Sequence, residues 1–337
     1  MLTARQEAIL KLIVAEYVAS GAPVASEGIA RDSRLTVSPA TIRHEMAELE
    51  ELGYILRPHI SAGGVPSDKG YRYYVEALGQ ATALPLSEQR LLEHLFHQVE
   101  RELEEWVTLS ATFLSRFTGY MAMVTRPQAV ECRLKRLELV SLQEFLALMV
   151  LIFWEARVKQ QLLAFDRPVS QEELDQLAQR FNRDYAGLSI GQIQEKGLPS
   201  GYLEEATSRA MVRALQVEAE KGEEPYIYGL RQVLEQPEFS QGPGRQGVLA
   251  ALEEKSLLRA VLAQLPWEEG VQVIIGKENK EDTLQDLSLV ASRYGIPGKV
   301  SGAVAVLGPT RMKYLQTISA VHYLSHILSR LVKELYG

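Results

Sequence analysis

Residues 37–74 read VSPATIRHEMAELEELGYILRPHISAGGVPSDKGYRYY, and this stretch decides the fold of the chain's N-terminal part. Ser38 is a suitable N-cap because its hydroxyl can accept a hydrogen bond from a first-turn N–H, and Pro39 fits the first helical position, where no N–H is needed. Gly53 supplies the left-handed residue that ends a helix. The stretch therefore predicts a helix from Ser38 to about Gly53, then a strand, a glycine-rich turn and a second strand.

The predicted helix has two unlike faces. Ile42, Met46 and Leu49 recur at helical spacing and must pack on a core. The opposite face combines small residues with one arginine and one histidine: Ala40, Arg43, His44 and Ala47. Such a face suits a DNA major groove, because arginine can donate two hydrogen bonds to a guanine edge and small neighbours allow close approach. Any surface helix presents a polar face, however, so this pattern alone leaves DNA binding open.

Two further helical segments precede this stretch. Thr3 and Gln6 form a capping box for a helix that reaches about Ser20, and Ser26 can cap a short second helix after a Gly-Ala-Pro turn. Three helices followed by two short strands and another helix predict an N-terminal winged helix-turn-helix domain over residues 1–80.

Length and charge narrow the class of protein. A chain of 337 residues exceeds the usual size of one hydrophobic core, so two or three domains are expected. The net charge is −7, and residues 1–80 contain eight Lys or Arg against ten Asp or Glu, so any DNA contact must come from a local arrangement of charges.

Cys132 is the only cysteine, which excludes an intramolecular disulfide and fits a reducing cytoplasm. The longest apolar run, residues 145–154, is too short to span a membrane.

The remainder of the chain mixes strands and helices. A long amphipathic helix is predicted over residues 87–118, and four short apolar or alternating segments follow between residues 119 and 165. A mainly helical block comes next, and strand patterns return between residues 271 and 308 before a final helix. Strands on both sides of a helical block predict one α+β sheet domain that is interrupted by an insertion.

Four segments carry a resemblance to a known family: GAPVASEGIA (21–30), VSPATIRHEMAELEELGYI (37–55), PHISAGGVPSDKGYRYYVEAL (58–78) and GAVAVLGPTRMKY (302–314). They resemble the HrcA family of bacterial heat-inducible transcription repressors. Because these segments lie at both ends of the chain, in the family's order and at its approximate spacing, the resemblance covers nearly the whole sequence.

The resemblance implies an α+β multidomain protein. It implies a winged-helix DNA-binding domain at residues 1–80, a GAF-like domain at residues 87–165 and 245–337, and an inserted dimerisation domain at residues 166–244. It also implies a homodimer that represses chaperone operons by binding double-stranded DNA at an inverted-repeat operator, and a chaperonin that assists the repressor's active state.

The chain departs from the usual family pattern at several positions. It has Ala25-Ser26 where Gly-Ser is usual, and it has Pro39 and His44 in the segment that usually reads Ser-Ala-Thr-Ile-Arg-Asn. Position 64 is glycine where the family's turn usually has arginine, so the turn lacks that cationic side chain.

The candidate DNA-contacting residues lie on the predicted helix and on the segments after it. In a homodimer, two Ser38 helices would enter major-groove faces of one palindromic operator, since two-fold protein symmetry is mirrored in the DNA. Thr41 and Arg43 are expected to contact phosphate and base, and His44 a base or the backbone. The full candidate set is Ser38, Ala40, Thr41, Arg43, His44, Ala47, Arg57, His59, Ser61, Gly63, Gly64, Lys69 and Arg72. Taken singly, the cationic residues after the helix are equally well interpreted as solvated surface charge.

Motifs for enzymatic chemistry are incomplete. The HEMAE segment from His44 lacks the second histidine of the zinc-protease motif, and the GxGxxG of residues 242–247 contains a proline and follows no strand. His322 and His326 have a spacing that can bind metal, but no carboxylate or cysteine lies near them in the sequence. We therefore expect no enzymatic activity, cofactor or metal.

A second binding hypothesis stays open. GAF-like domains often hold small ligands, so the chain could be a metabolite-responsive winged-helix repressor. The strand segments show no distinctive ligand-binding signature.

Overall fold

The computed structural model describes most of the chain. The described ranges are 2–31, 37–59, 62–79, 83–99, 102–129, 132–154, 158–220, 225–240, 261–262 and 270–336. The chain forms two compact units: residues 1–127, 224–296 and 302–337 make the first, and residues 128–223 and 297–301 make the second.

The described residues form a mixture of helices and strands. The α-helices are α1 (Ala4–Ser20), α2 (Ser26–Ile29), α3 (Pro39–Glu51), α4 (Asp68–Ala77), α5 (Leu86–Gln98), α6 (Leu103–Thr118), α7 (Gln171–Tyr185), α8 (Ile190–Lys196), α9 (Tyr202–Glu220), α10 (Leu230–Leu234), α11 (Pro237–Ser240) and α12 (Tyr314–Tyr336). The strands are β1 (Ile55–Leu56), β2 (Val65–Pro66), β3 (Met121–Val124), β4 (Gln128–Ala129), β5 (Leu134–Gln143), β6 (Leu146–Phe153), β7 (Val158–Ala164), β8 (Tyr226–Tyr228), β9 (Val271–Ile275), β10 (Leu287–Ile296) and β11 (Val300–Pro309).

The first unit begins with a module of four helices, α1 to α4, and a two-stranded ribbon, β1 and β2. The predicted capping box is confirmed, because Thr3 Oγ1 accepts from the Gln6 N–H at 3.2 Å and the Gln6 side chain accepts from the Thr3 N–H at 3.0 Å. β1 and β2 pair antiparallel, with Ile55 opposite Pro66. Gly53 follows the end of α3 with a φ of 76°, so the left-handed residue predicted at this helix end is also confirmed.

The same unit contains a sheet in which the strands lie in the order β8-β3-β11-β10-β9. All ten residues of β11 are buried, as expected for a central strand that is covered on both faces. α12 packs along β10, and α6 packs on β3 and α12.

The prediction of one continuous helix over residues 87–118 is wrong. α5 ends at Gln98, Val99 has an extended backbone (φ −85°, ψ 137°), and α6 begins only at Leu103. An apolar stripe at helical spacing requires helical faces but not one continuous axis, so periodicity did not reveal the break.

The second unit contains a three-stranded antiparallel sheet, β5-β6-β7. Alternate residues of β6 are buried, and they share a core with apolar side chains of α7, α8 and α9. The prediction that all strands before residue 165 join the C-terminal strands is wrong for β5, β6 and β7, which form this separate sheet. Two-residue alternation identifies which side chains share a face, but it does not identify the partner strand.

No helix in the described ranges is both long and apolar enough to cross a membrane.

Candidate nucleic-acid interface

α3 begins at the position that the sequence predicts. Ser38 Oγ accepts a hydrogen bond from the Thr41 N–H at 3.2 Å and lies 2.9 Å from Thr41 Oγ1. Ile42, Met46 and Leu49 are buried. This packing fixes the rotation of the helix, so the opposite face points outward.

The outward face of α3 contains the candidates that the sequence placed there. Ala40, Arg43 and His44 are exposed, whereas Thr41 and Ala47 are partly buried. With the exposed N-cap Ser38, they form one contiguous helix surface with two groups able to carry positive charge.

Arg43 pairs with a carboxylate from the neighbouring helix. Its Nη2 lies 2.7 Å from Oε1 of Glu27 in α2, and the two side chains are 65% and 56% exposed. The pKa of Glu27 is lowered, first by a hydrogen bond from its own backbone N–H, then by the Ser26 hydroxyl and by Arg43. Glu27 is therefore held ionised beside the arginine.

Two further candidates also have carboxylate partners. His44 Nε2 lies 3.2 Å from Glu48 Oε1, one helical turn further along α3. Arg57 Nε lies 3.2 Å from Glu50 Oε2. The three candidate cations at positions 43, 44 and 57 are thus each adjacent to an acidic group of the same module.

The turn between β1 and β2 packs closely on the segment before α2. Gly64 is buried, its N–H donates to the Val24 carbonyl at 2.8 Å, and its carbonyl accepts from the Val24 N–H at 2.9 Å. A Cβ at Gly63 would lie 2.3 Å from the Val24 oxygen, so only glycine fits there. His59 is exposed, whereas Ser61 lies outside the described residues.

Gly64, which stands where the family usually has arginine, lies against the core of the module. A Cβ on this residue would lie 3.0 Å from both Ile55 Cδ1 and Met46 Cε, inside the module. A longer side chain at position 64 would therefore begin against the core instead of projecting directly into solvent.

Lys69 and Arg72 are engaged elsewhere. Lys69 Nζ donates to the Leu52 carbonyl at 2.7 Å, next to the end of α3, and lies 4.3 Å from the centre of the Tyr54 ring. Arg72 donates to Glu278 through Nε at 2.8 Å and to the Val273 carbonyl through Nη2 at 2.6 Å. Arg72 therefore does not lie on the α3 surface. It connects α4 to β9 and to the 3₁₀ turn that follows β9.

Arg311 forms a second joint between the module and the sheet. Arg311 lies in the GPTRM segment, residues 308–312, and its side chain is largely buried. It donates to the Val18 carbonyl near the end of α1 at 2.9 Å. Its Nε also donates to Glu238 Oε1 at 2.5 Å, and this pairing raises the pKa of Arg311.

A cavity of about 410 Å³ lies at this joint. Its lining combines tyrosines, apolar residues and charged groups, including Tyr17, Asp68, Lys277, Asp286 and Arg311.

The histidine pair predicted from spacing is present on α12. His322 Nε2 and His326 Nε2 lie 3.2 Å apart, and burial followed by the neighbouring His326 lowers the pKa of His322. In the described ranges, no group of three or more His, Cys, Asp or Glu side chains could hold a metal ion.

Three residues were not identified from the sequence. Glu27 and Glu278 pair with the candidates Arg43 and Arg72, and Arg311 connects the module to the sheet. Glu27 and Glu278 approach Arg43 and Arg72 only through tertiary packing, and no spacing in the sequence signals either pair. Arg311 had a signal, because it lies within one of the segments that gave the family resemblance.

A helical module with a short ribbon, connected to antiparallel sheets and long helices, makes this a mixed α+β protein with more than one compact unit. Residues 104–318 match the family model described as the HrcA protein C terminal domain. The chain belongs to the HrcA family.

Several known proteins are similar over the full length. The heat-inducible transcription repressor HrcA of Dehalococcoides mccartyi is 46% identical over 338 residues, which cover 100% of this chain and 98% of that protein. The protein of the same name from Roseiflexus castenholzii is 41% identical, over 100% of this chain and 96% of its own. A crystal structure of a hypothetical protein at 2.2 Å resolution covers 99% of both chains with a TM-score of 0.58 and 22% identity, which supports the fold alone.

Proposed function

We propose that this protein is a homodimeric transcription repressor that binds an inverted-repeat operator upstream of chaperone operons in the cytoplasm. Relatives over the whole chain are named heat-inducible transcription repressors. The observation that carries the proposal is the outward face of α3, where Arg43 and His44 stand beside the small residues Ala40 and Ala47.

In this proposal the N-terminal module is a winged helix-turn-helix and α3 is its recognition helix. Thr41 and Arg43 contact phosphate and base, and His44 contacts a base or the backbone. Arg57 and His59 contact flanking phosphates, and residues 61–64 reach the flanking minor groove or phosphates. The hydrogen bonds of Gly64 to Val24 favour a supporting role for Gly63 and Gly64, and those of Lys69 and Arg72 favour the same role for these two side chains.

We assign three domains along the chain. A DNA-binding domain spans residues 1–80, and the sheet around β11 belongs to a GAF-like domain. The dimerisation domain is inserted into the GAF-like domain. The sequence suggested residues 166–244 for this insertion, whereas the compact second unit favours a start near residue 128.

Dimerisation is supported by the outer face of the β5-β6-β7 sheet. Leu148 lies opposite Val140 on one side and Leu162 on the other, and Ile152 lies opposite Val158. Val140, Val158 and Leu162 are between 44% and 57% exposed. The face also carries Arg136, Glu138 and Gln160 opposite β6. An exposed face with apolar side chains at its centre and polar ones beside them is typical of a protein–protein contact, and a two-fold dimer would cover it with its own copy.

Heat and the chaperonin regulate the repressor in this proposal. Heat shifts the protein to an inactive or aggregating form faster than the chaperonin restores it. The test measures operator binding before a heat step, after it, and after incubation with chaperonin and ATP. Binding that survives the heat step and needs no chaperonin for recovery would contradict this regulation.

The second candidate function is metabolite sensing by a small ligand in the GAF-like domain, and the cavity beside Arg311, which Tyr17 and Asp68 of the N-terminal module also line, is the candidate site. A thermal-shift screen against cell metabolites tests it, since a ligand specific to the folded state raises the apparent stability. We propose no catalytic activity.

The decisive experiment for the main proposal is selection of bound duplexes from random DNA by gel shift, at a stated salt concentration. Recovery of an inverted repeat supports the homodimeric repressor. Recovery of no common sequence would overturn it.

A further inference from the structure

At the proposed DNA-facing surface, three side chains that can carry positive charge each lie beside a carboxylate. Arg43 is 2.7 Å from Glu27, and Arg57 is 3.2 Å from Glu50. His44 is 3.2 Å from Glu48. The first eighty residues also have an excess of two acidic side chains, since they contain eight Lys or Arg against ten Asp or Glu.

This arrangement weakens attraction to DNA in general. Sequence-independent binding arises from cationic groups that neutralise phosphates and release counterions. A carboxylate a few ångströms from a guanidinium cancels most of its field at distances larger than their separation, and salt screens the remainder over a Debye length of about 8 Å. In the part of this surface that the structure describes around Arg43, His44 and Arg57, an approaching phosphate therefore meets little net positive charge, and it is repelled where a carboxylate faces it.

A specific base contact can still displace the carboxylate. The Arg43–Glu27 pair is exposed, and exposed ion pairs contribute little to stability, so Arg43 can leave Glu27 at small cost. A guanine edge offers Arg43 two aligned hydrogen bonds in exchange. A duplex without that base offers only a phosphate, and Glu27 then remains close to the DNA backbone without compensation.

We propose that Glu27 is a specificity-determining residue that disfavours DNA lacking a base partner for Arg43, and that Glu50 adds to this preference by neutralising Arg57. This inference rests on the proposed function, because it requires α3 to be the DNA-contacting helix.

The test compares the full-length protein with Glu27→Gln, Glu27→Asp and Glu50→Gln. The affinity of each for the selected operator and for a scrambled duplex of equal length and composition is measured by fluorescence anisotropy at several KCl concentrations. Glu105→Gln is the matched control, because it makes the same charge change at an exposed site on α6, outside the module.

Glu27→Gln should raise affinity for the scrambled duplex by about two- to fivefold, the range that an exposed ion pair allows, and should change operator affinity less. It should also steepen the salt dependence for scrambled DNA by up to about one unit of log–log slope, because the freed Arg43 can neutralise a phosphate. Glu27→Asp, which retains the charge, should stay close to the wild type. Glu50→Gln should act in the same direction as Glu27→Gln.

Three outcomes would overturn the inference while leaving the proposed function intact. They are an equal change on both duplexes, a loss of operator affinity alone, and an effect no larger than that of Glu105→Gln. A wild-type protein that shows no preference for any sequence would overturn the proposed function and, with it, this inference.

Discussion

Arg43 has to exchange partners if it reads a base, because its guanidinium lies against Glu27 in the free protein. Replacing Arg43 by alanine should cost about 1–3 kcal/mol of operator binding and relax base preference at one position in each half-site, as expected for a lost bidentate contact. Anisotropy titrations against singly substituted operators measure both effects.

Arg5→Ala is the control for this prediction. Arg5 also pairs with a glutamate of α3, Glu45, but it projects from α1 and is not part of the outward face of α3. Equal losses for the two variants, or unchanged operator affinity in a folded and dimeric Arg43→Ala protein, would contradict the assignment.

Tyr73 offers a residue-level test of the packing between α4 and α1. Its hydroxyl donates to the Glu7 carboxylate, and this bond is the main cause that raises the pKa of Tyr73 to about 12 from an ordinary value of 10.0. Because the pKa is raised in the folded state, the stabilising contribution is complete below pH 10 and is lost as the pH rises through about 12.

The measurement for Tyr73 is the ultraviolet absorbance of tyrosinate against pH. The difference between wild type and Tyr73→Phe should titrate near 12, and Glu7→Gln should move that midpoint towards 10. A wild-type midpoint at the ordinary value would show that the hydrogen bond is absent in solution.

For single residues, the rules of helix capping and helical spacing predicted the positions whose role depends only on near neighbours in the sequence. Ser38 caps α3, and Ile42 and Leu49 are buried, because capping and helical spacing depend only on near neighbours. The partner of Arg72 is 206 positions away, at Glu278, so no local pattern could identify it. For the same reason Arg72 was placed among the candidate DNA contacts, with solvated surface charge as the equal alternative.

Among the secondary-structure elements, boundaries marked by caps were predicted well and strand pairing was not. The residues assigned to β5, β6 and β7 were identified as strands from alternation, yet the sequence did not separate their sheet from that of β3 and β11. Partner choice depends on which apolar faces pack together in three dimensions, and the two sheets are covered by different helices, α7 to α9 on one and α6 and α12 on the other.

The joint at Arg311 gives a prediction about how elements are held together. Arg311→Met should lower the free energy of unfolding by about 1–3 kcal/mol, the usual effect of losing hydrogen bonds to a charged group and leaving polar groups unpaired. Arg311→Lys should recover only part of this, because a lysine cannot reproduce the planar fork that reaches both Val18 and Glu238. Urea unfolding followed by circular dichroism provides the values.

Arg231→Met is the matched control for Arg311. Arg231 Nε is 2.8 Å from Glu235 Oε1, but these side chains are 87% and 61% exposed. Its loss should cost less than about 0.5 kcal/mol. Similar values for the two variants would mean that the buried joint contributes no more than an ordinary surface pair.

For the whole molecule, the apolar outer face of the β5-β6-β7 sheet is the feature with the largest expected effect. Leu162→Lys places a charge at an exposed position next to Leu148, so it should leave the fold intact and weaken a dimer formed through this face by about 2 kcal/mol or more. Sedimentation velocity over a concentration series reports the shift towards monomer.

Gln194→Lys adds the same charge at an exposed position of α8 and should leave the dimer unchanged. If Leu162→Lys sediments as the wild type does, the dimer must form through another surface. Operator binding should fall together with dimerisation, because a single module contacts only one half-site.

The pairing of β3 with β8 has a consequence for how such a chain can arise. Val124, the last residue of β3, lies opposite Tyr226, the first residue of β8, although residues 125–225 separate them in sequence. The two strands are the arms of a hairpin, for which two residues would be a sufficient loop. The pairing of β3 with β8 therefore sets no requirement on the length of the segment between them, so the part of that segment beyond β4, which itself pairs with β11, can be gained, enlarged or exchanged while these two strands keep their register.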